Sequence, residues 1–291
     1  MPLALTGEIV TSAVSRRHGV GAFNVIELEH AEALAAGAEE ADAPVILQVS
    51  ENCVRYHGSL EPLALATLAV ARRATVPVAV HLDHAESVEL VEEAVALGLG
   101  SVMFDASTLA YDDNVRLTRD VTRYCHDHSV WVEAELGEVG GKDGAHAAGV
   151  RTDPAEAAQF VAATGVDALA VAVGSSHAML ERTATLDLDL VARLRDAVPA
   201  PLVLHGSSGV ADDDLAAAVA AGMTKVNVAT QLNKVFTRAV RDYLAAAPDV
   251  VDTRKYLGAG RQAVVAEGAR LLGVLGAGGA ADSLLRSPTR R

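Results

Sequence analysis

The stretch PVAVHLDHAESVELVEEAVALGLGSVMFD (77–105) decides the fold of this chain. It begins with a short apolar run, continues with a segment whose apolar residues recur at helical spacing, and ends with a second apolar run. A buried strand, a helix and another buried strand in this order are typical of a βαβ unit, in which the two strands lie parallel. The stretch therefore predicts an α/β fold with a parallel sheet.

The same alternation repeats along the whole chain. Strands are predicted near 19–24, 44–50, 77–83, 100–105, 130–136, 167–173, 201–205 and 223–228. Eight strand–helix units over about 250 residues are typical of a (β/α)8 TIM barrel. The runner-up, a doubly wound open sheet, usually carries a glycine-rich turn after its first strand, and GAFNVIEL (21–28) has none. We therefore expect a single TIM-barrel catalytic domain over 1–280 and a flexible C-terminal tail over 281–291.

The composition favours a cytoplasmic enzyme. The 291 residues are 51% hydrophobic, enough for a large core, and their formal net charge is −14 at pH 7. This acidity argues against nucleic acid or an anionic membrane as a partner. With only Cys53 and Cys125 present, no disulfide framework is expected. The N-terminal MPLALTGEIV has no features of a secretion signal, and no apolar run is long enough to span a membrane.

Three histidines follow apolar runs that are predicted strands. They are His84 in VAVHLDHAE, His177 in AVAVGSSHA and His205 in PLVLHGSSG. The carboxyl ends of barrel strands meet at one mouth, where barrel enzymes carry their catalytic residues. Three neutral imidazoles with an open fourth position form a catalytic zinc site rather than a structural one. The three histidines are therefore predicted to be metal ligands.

Carboxylates accompany this predicted metal site. Asp83 immediately precedes His84 and could exchange a proton with a substrate hydroxyl. Glu133 and Glu135 share one face of the fifth predicted strand, because side chains two positions apart on a strand point the same way. Glu135 is favoured as a second proton carrier, whereas Glu133 could equally form a structural salt bridge.

The loops after the seventh and eighth strands form a predicted phosphate site. Each has small polar residues followed by a helix start, in HGSSGVADDDL (205–215) and NVATQLNKVF (227–236), and barrels usually bind phosphate there. The hydroxyls of these loops could also cap the helices that follow. The groups that could bind a phosphate without any lysine are the backbone N–H groups of Gly206, Ser207, Ser208 and Ala229, and the hydroxyl of Thr230.

Taken together, the motifs resemble those of the class II, zinc-dependent ketose-bisphosphate aldolases. The resemblance runs in order from about residue 5 to about residue 275, with no large gap. The motifs that carry it are GAFNV, HLDHAES, SVMFDAS, VEAELGEVGG, AVAVGSSHA, PLVLHGSSG and KVNVAT. Such a run of motifs in register is far more specific than any one of them alone.

The resemblance implies a role for each residue that matches a family motif. His84, His177 and His205 would bind the catalytic zinc, Asp83 would be the acid/base, and Glu135 would help to move the carbon-bound proton. The implied substrate contacts are Asn227 to the dihydroxyacetone part, Gly206, Ser207 and the segment 227–230 to its phosphate, and Asn24 and Ser50 in the wall of the pocket.

The implied reaction is the reversible cleavage of a ketose 1,6-bisphosphate, tagatose or fructose, into dihydroxyacetone phosphate and glyceraldehyde 3-phosphate. The substrate would be a small phosphorylated sugar, with no nucleic-acid or membrane partner. One zinc ion would be bound per subunit, and a monovalent cation is a further candidate cofactor. A homodimer or homotetramer is expected.

Two positions depart from the family's pattern. Ala178 stands where many members have a glycine whose backbone contacts the phosphate. Ala229 stands where fructose-type members have an aspartate that reads sugar stereochemistry, so the chain is more similar to the tagatose-type branch. Another phosphorylated keto-sugar or a keto-acid is therefore an alternative substrate.

Two alternative functions exist for the same barrel. Lys225 is the only lysine in a predicted strand and hence the only plausible Schiff-base former of a lysine-dependent aldolase. A non-catalytic sugar-phosphate-binding barrel is the more remote alternative. The far phosphate of the substrate also needs a cation, for which Arg254, Arg261 and an arginine of a neighbouring subunit are the candidates.

Overall fold

The eight predicted strands are present, run parallel and close into a barrel. A computed structural model of the protein describes residues 3–136, 151–177 and 179–281. The strands follow one another around the barrel in sequence order, and the first pairs with the eighth to close it. They are β1 Val20–Asn24, β2 Val45–Ser50, β3 Val78–Ala85, β4 Ser101–Phe104, β5 Trp131–Leu136, β6 Ala168–Val171, β7 Leu202–Leu204 and β8 Met223–Val228.

Helices precede, separate and follow the strands. The first helix comes before β1, two helices follow β2, and two long helices follow β8. Among the described residues, no helix is long and apolar enough to cross a membrane. The helices are α1 Thr6–Arg16, α2 Leu28–Glu40, α3 Glu51–His57, α4 Glu61–Arg73, α5 Val88–Leu97, α6 Tyr111–Asp127, α7 Pro154–Thr164, α8 Leu188–Ala197, α9 Asp212–Ala221, α10 Thr230–Ala246 and α11 Thr253–Val274, with a single 3-10 turn at Ser207–Gly209.

The fold predicted from the sequence is confirmed. Each observed strand begins and ends within two residues of its predicted bounds. Closure of the sheet excludes the doubly wound alternative. The division into a domain over 1–280 and a tail over 281–291 stays a prediction, because residues 282–291 lie outside the described part of the chain.

The inside of the barrel is polar beneath its mouth. On four strands a polar side chain points into the barrel, and a second polar side chain lies two positions later. The second points the same way as the first, since alternate residues of a strand share a face. The lower members of these pairs are Gln48, His81, Glu133 and Lys225, and all four are fully buried. The upper members are Ser50, Asp83, Glu135 and Asn227. We call these eight residues the polar ladder.

Below the polar ladder, small apolar side chains fill the barrel, and α1 covers that end. Ile9, Val10 and Ala13 of α1 pack against Ala22 and Ala79 of the strands. The outer faces of the strands contribute to the main core beneath the surrounding helices. This distribution fits strands that are buried on both faces, for which near-continuous apolar runs are expected. The polar ladder is the exception, and it lies at the end of the barrel where function is expected.

The long α11 packs closely against α2 because α2 carries a glycine at the contact. A Cβ atom placed on Gly37 would lie 2.7 Å from the carbonyl oxygen of Val265 and 3.1 Å from the amide nitrogen of Ala269. Both of these atoms belong to the backbone of α11, so the two helices would have to move apart to admit a methyl group. The close approach therefore depends on the missing side chain.

We expect Gly37→Ala to destabilise the protein, although alanine is the better helix former. Overpacking of this kind typically costs about 1–3 kcal/mol of unfolding free energy, and thermal or urea unfolding measures it. The control is Gly273→Ala, in the last turn of α11, where a Cβ would meet nothing within 4 Å. The control should leave stability unchanged or raise it. Equal effects of the two substitutions would contradict the packing argument.

Candidate metal centre and active site

The three histidines predicted to bind metal converge at the mouth of the barrel. The ring centroid of His84 lies 5.2 Å from that of His177 and 4.7 Å from that of His205, and the last two are 5.7 Å apart. His84 lies within β3 and His205 directly follows β7. His177 is not at a strand end as the sequence indicated. It lies in the loop six residues after the end of β6, because that strand stops at Val171.

A carboxylate joins the three imidazoles. Glu135, at the top of β5, is buried with the histidines, and one candidate ligand atom from each of the four residues lies within 4.8 Å of the others. The sequence predicted Glu135 as a proton carrier rather than as part of the ligand cluster. The arrangement offers three nitrogen donors and one oxygen donor to a single ion.

Hydrogen bonds to carboxylates set the orientation of two of the rings. His84 Nδ1 lies 2.7 Å from Asp105 Oδ2, and His205 Nε2 lies 2.9 Å from Glu133 Oε1. A carboxylate on one ring nitrogen fixes the tautomer, so the other nitrogen is presented to the ion. That other nitrogen is Nε2 in His84 and Nδ1 in His205.

These residues fit a metal ion. The Nε2 atom of His84 is enclosed and has no hydrogen-bond partner among the residues that the structure describes. A buried polar atom without a partner costs free energy, and ligation of an ion would satisfy it. The backbone of His84 is in the left-handed region at φ 51°, beside an irregularity in the pairing of β3 with β4. Such strain is typical of a side chain held for function.

The charged groups at the centre of this cluster shift one another's pKa values. Burial opposes ionisation of Glu133, but Lys225 first and His205 next hold the pKa of its carboxyl well below its usual range. Burial likewise opposes charge on His205, yet the contacts with Glu133 and Glu135 raise its pKa to about 9. Because a ligating imidazole is neutral, binding of a metal ion at neutral pH would displace the His205 proton.

Asp83 lies beside the cluster with both oxygens engaged. It is 3% exposed, and its oxygens accept hydrogen bonds from the amides of Asn24 at 3.2 Å and Asn227 at 3.3 Å. Burial opposes ionisation, but the neighbouring histidines, His84 first, hold the pKa of Asp83 below its ordinary value. Asp83 is thus a carboxylate at neutral pH and can accept a proton.

The predicted phosphate loop has the backbone that close approach requires. Gly206 has φ 66°, and a Cβ there would lie 2.6 Å from the carbonyl carbon of Ser176. The Ser207 hydroxyl donates to the backbone oxygen of Asn227. The Ser208 hydroxyl accepts from the backbone N–H of Gln231 at 3.1 Å, in the first turn of α10. Ser208 therefore contacts the N-terminus of α10, which Thr230 begins, and not that of α9, the helix that follows its own loop and has no side-chain cap.

Eleven of the fourteen predicted site residues line one cavity of about 160 Å³. His205 and Glu135 are buried, and their candidate ligand atoms lie within 4.8 Å of those of His84 and His177 in the cavity wall. The fourteenth, Ala178, lies outside the described residues. Asn52, in the first turn of α3, lines the cavity but was not predicted, because it follows the strand end by two residues. The full lining is Asn24, Ser50, Asn52, Asp83, His84, His177, Gly206, Ser207, Ser208, Asn227, Ala229 and Thr230.

Lys225 is not placed as a Schiff-base lysine would be. Its Nζ lies 2.8 Å from Glu133 Oε2 and donates to Asn227 Oδ1 at 2.8 Å, and the side chain is fully buried. An imine-forming amine must be uncharged and reach the substrate, whereas this one is paired with a carboxylate. The two candidate arginines are not at the cavity either. Arg254 pairs with Asp252 and Arg261 with Glu32, on the surface.

Comparison with known proteins agrees with this geometry. The family model described as "Fructose-bisphosphate aldolase class-II" matches residues 5–280. The chain belongs to the class II fructose-bisphosphate aldolase family. The family resemblance seen in the sequence motifs is confirmed, and with it the assignment of the protein as an aldolase, a lyase.

The relatives are similar over nearly their whole length. A fructose-bisphosphate aldolase of Geobacillus stearothermophilus is 41% identical over 270 residues, which are 91% of this chain and 94% of that protein. A probable fructose-bisphosphate aldolase of Bacillus subtilis is 40% identical with the same coverage. The crystal structure of the YdjI aldolase of Escherichia coli K12 superposes with a TM-score of 0.85 at 33% identity, covering 96% of this chain and 99% of that one.

The role of Asp105 in orienting His84 can be tested by Asp105→Asn, which keeps the shape and removes the charge. Loss of a carboxylate behind a ligating histidine typically weakens metal binding about 10- to 100-fold. Metal affinity is measured by competition with a chromophoric chelator. The matched control is Asp167→Asn, since Asp167 forms a carboxylate–histidine pair with His126 at 2.9 Å on the surface. Unchanged affinity in Asp105→Asn would show that His84 needs no such partner.

Proposed function

We propose that this protein is a zinc-dependent aldolase that reversibly cleaves a ketose 1,6-bisphosphate, of the tagatose or fructose type, into dihydroxyacetone phosphate and glyceraldehyde 3-phosphate. The observation that carries the proposal is the convergence of three histidines and Glu135 beside Asp83, at a cavity whose other wall is a phosphate-type loop. Membership of the class II fructose-bisphosphate aldolase family supports it.

The proposed ion is zinc, held by His84, His177 and His205. Three imidazole nitrogens are a donor set that suits a catalytic zinc ion, with a fourth position left open for substrate. When bound, the ion would supply Lewis-acid stabilisation of the negative charge that develops on the ketose as its C3–C4 bond breaks. A monovalent cation stays a further candidate, proposed only from the family resemblance.

Asp83 is the proposed base for carbon–carbon cleavage. Its carboxylate lines the cavity next to His84 and is held ionised, so it can take the proton of the C4 hydroxyl as the aldehyde leaves. Glu135 lies beside the histidines, with Oε2 3.2 Å from His205 Nδ1. We assign to Glu135 the proton that is exchanged at C3 of dihydroxyacetone phosphate. In condensation both roles reverse.

The substrate's near phosphate is proposed to bind at the N-terminus of α10. Backbone N–H groups there and the positive end of the helix dipole favour an anion. The proposed contacts are Gly206, Ser207, Ser208, Ala229 and Thr230, with Asn24, Ser50 and Asn227 on the sugar, and with Ala178 as a candidate from sequence alone.

The far phosphate needs a cation from elsewhere. Arg254 and Arg261 are engaged with acidic neighbours on the surface. We therefore favour an arginine of a neighbouring subunit, which would make a homodimer or homotetramer part of the active enzyme. A cytoplasmic location fits a reaction on phosphorylated sugars. A different phosphorylated keto-sugar or a keto-acid is the second candidate, because Ala229 removes a carboxylate that would read stereochemistry.

A panel of substrates measured with and without a chelator tests the activity. Cleavage of tagatose and fructose 1,6-bisphosphate should disappear with chelator and return with Zn²⁺. Tagatose bisphosphate should be cleaved at least as well as its epimer. Ala229→Asp should shift the ratio toward fructose by roughly tenfold to a hundredfold, as expected for one polar contact. Activity in metal-free protein would refute the metal assignment, and absence of turnover would favour the non-catalytic binding protein.

Two substitutions distinguish the proposed roles of Asp83 and Glu135. Asp83→Ala should keep the metal and lose cleavage by about 10²-fold or more, the contribution typical of a general base. It should still exchange the C3 proton of dihydroxyacetone phosphate with solvent, which is followed by NMR in deuterated water. Glu135→Ala should impair both reactions. If exchange is lost in Asp83→Ala and kept in Glu135→Ala, the two roles are reversed.

A further inference from the structure

Two chains of hydrogen bonds connect lower members of the polar ladder to Asp83. In the first, Gln48 Nε2 donates to Asn24 Oδ1 at 2.9 Å, and Asn24 Nδ2 donates to Asp83 Oδ2 at 3.2 Å. In the second, Lys225 Nζ donates to Asn227 Oδ1 at 2.8 Å, and Asn227 Nδ2 donates to Asp83 Oδ1 at 3.3 Å. Each oxygen of Asp83 therefore faces an asparagine amide that is itself held from below.

The hydrogen-bonding groups at the ends of these chains fix the orientation of the two asparagine amides. A lysine ammonium has donors and no acceptor, and an ionised carboxylate has acceptors and no donor. Asn227, which lies between Lys225 and Asp83, must therefore turn its oxygen to the lysine and its nitrogen to the carboxylate. Asn24 must also turn its nitrogen to Asp83, which leaves its oxygen facing the Gln48 amide.

The stability of the fold does not explain why the side chain at position 48 is polar. It is fully buried, and its Oε1 atom has no hydrogen-bond partner in the part of the chain that the structure describes. A buried acceptor without a partner destabilises the folded state, and an apolar side chain of similar size would avoid that cost. A buried polar group that lowers stability suggests a contribution to function instead.

We propose that Gln48 and Lys225 are positioning residues for Asp83, each fixing an asparagine amide so that its N–H₂ group holds one oxygen of the carboxylate. The inference rests on the proposed function in that Asp83 is the base for cleavage. Two fixed donors hold the carboxylate in one rotamer. A carboxylate has about four lone-pair positions, so acceptor capacity remains for the proton of the C4 hydroxyl.

The test is Gln48→Met, which keeps the length of the side chain and removes the donor. Cleavage should fall about tenfold in kcat, the factor that corresponds to one hydrogen bond, with KM and metal content unchanged. Exchange of the C3 proton should persist, since it is assigned to Glu135. The melting temperature should stay the same or rise. A merely structural role would lower the melting temperature and both reactions together, and that result would overturn the proposal.

The matched control is Ser101→Ala, which also removes a buried polar group from inside the barrel. Ser101 Oγ lies 2.8 Å from His81 Nδ1, and His81 Nε2 has no hydrogen-bond partner among the described residues, so this contact does not continue to Asp83. The control should leave cleavage unchanged. The double variant Gln48→Met/Asp83→Ala should cleave no more slowly than Asp83→Ala alone, because residues that act through one group are not additive. A further tenfold loss in the double variant would show that Gln48 acts elsewhere.

A crystal structure of Gln48→Met tests the positioning role of Gln48 without an activity measurement. Asn24 Nδ2 should no longer lie within about 3.5 Å of Asp83 Oδ2, the limit for a hydrogen bond. Persistence of this contact would overturn the proposal for Gln48. If the wild-type protein cleaves no ketose bisphosphate, the proposed function fails, while this structural outcome still decides the positioning role.

Discussion

The buried ion pair of Glu133 and Lys225 is the interaction on which the site depends. Both side chains are fully buried, and their charged atoms lie 2.8 Å apart at the centre of the barrel. Removal of one partner from such a pair leaves an uncompensated charge and typically costs about 3–5 kcal/mol. Each partner also makes a second contact, by which Glu133 orients the metal-facing ring of His205 and Lys225 orients the amide of Asn227. One pair thus connects the candidate metal ligands with Asp83, the proposed base.

Much of the fold and part of the site could be predicted from the sequence. Parallel strands buried on both faces give continuous apolar runs, so their positions could be recognised, and strand-end residues identified His84, His205 and Asp83. Asn24 and Asn227 also lie at strand ends, and the family resemblance added their implied roles. Contacts between strands could not be derived, because they depend on register around the barrel. The pairing of Lys225 with Glu133 is such a contact, and without it Lys225 could be interpreted as an imine-forming lysine.

Loops were harder to interpret than strands. The interpretation of His177 as a strand-end residue was wrong, because it lies six residues after β6 ends at Val171 and the residues between them form a loop. Asp105 is the last residue of the predicted strand 100–105, but the sequence offers no sign that it lies 2.7 Å from His84. Alternation along a strand predicts which face a residue occupies, not which neighbour it meets.

The loop that carries His177 packs against the loop after β7, which is proposed to bind phosphate. A Cβ on Gly206 would collide with the backbone of Ser176, and the N–H of Ala184 donates to the oxygen of Gly209 at 2.9 Å. Arg182, further along the same loop, pairs with Asp212 at the start of α9. These contacts join the two loops. His177, the candidate metal ligand that this loop supplies, is therefore held by contacts with the element proposed to bind the substrate's phosphate.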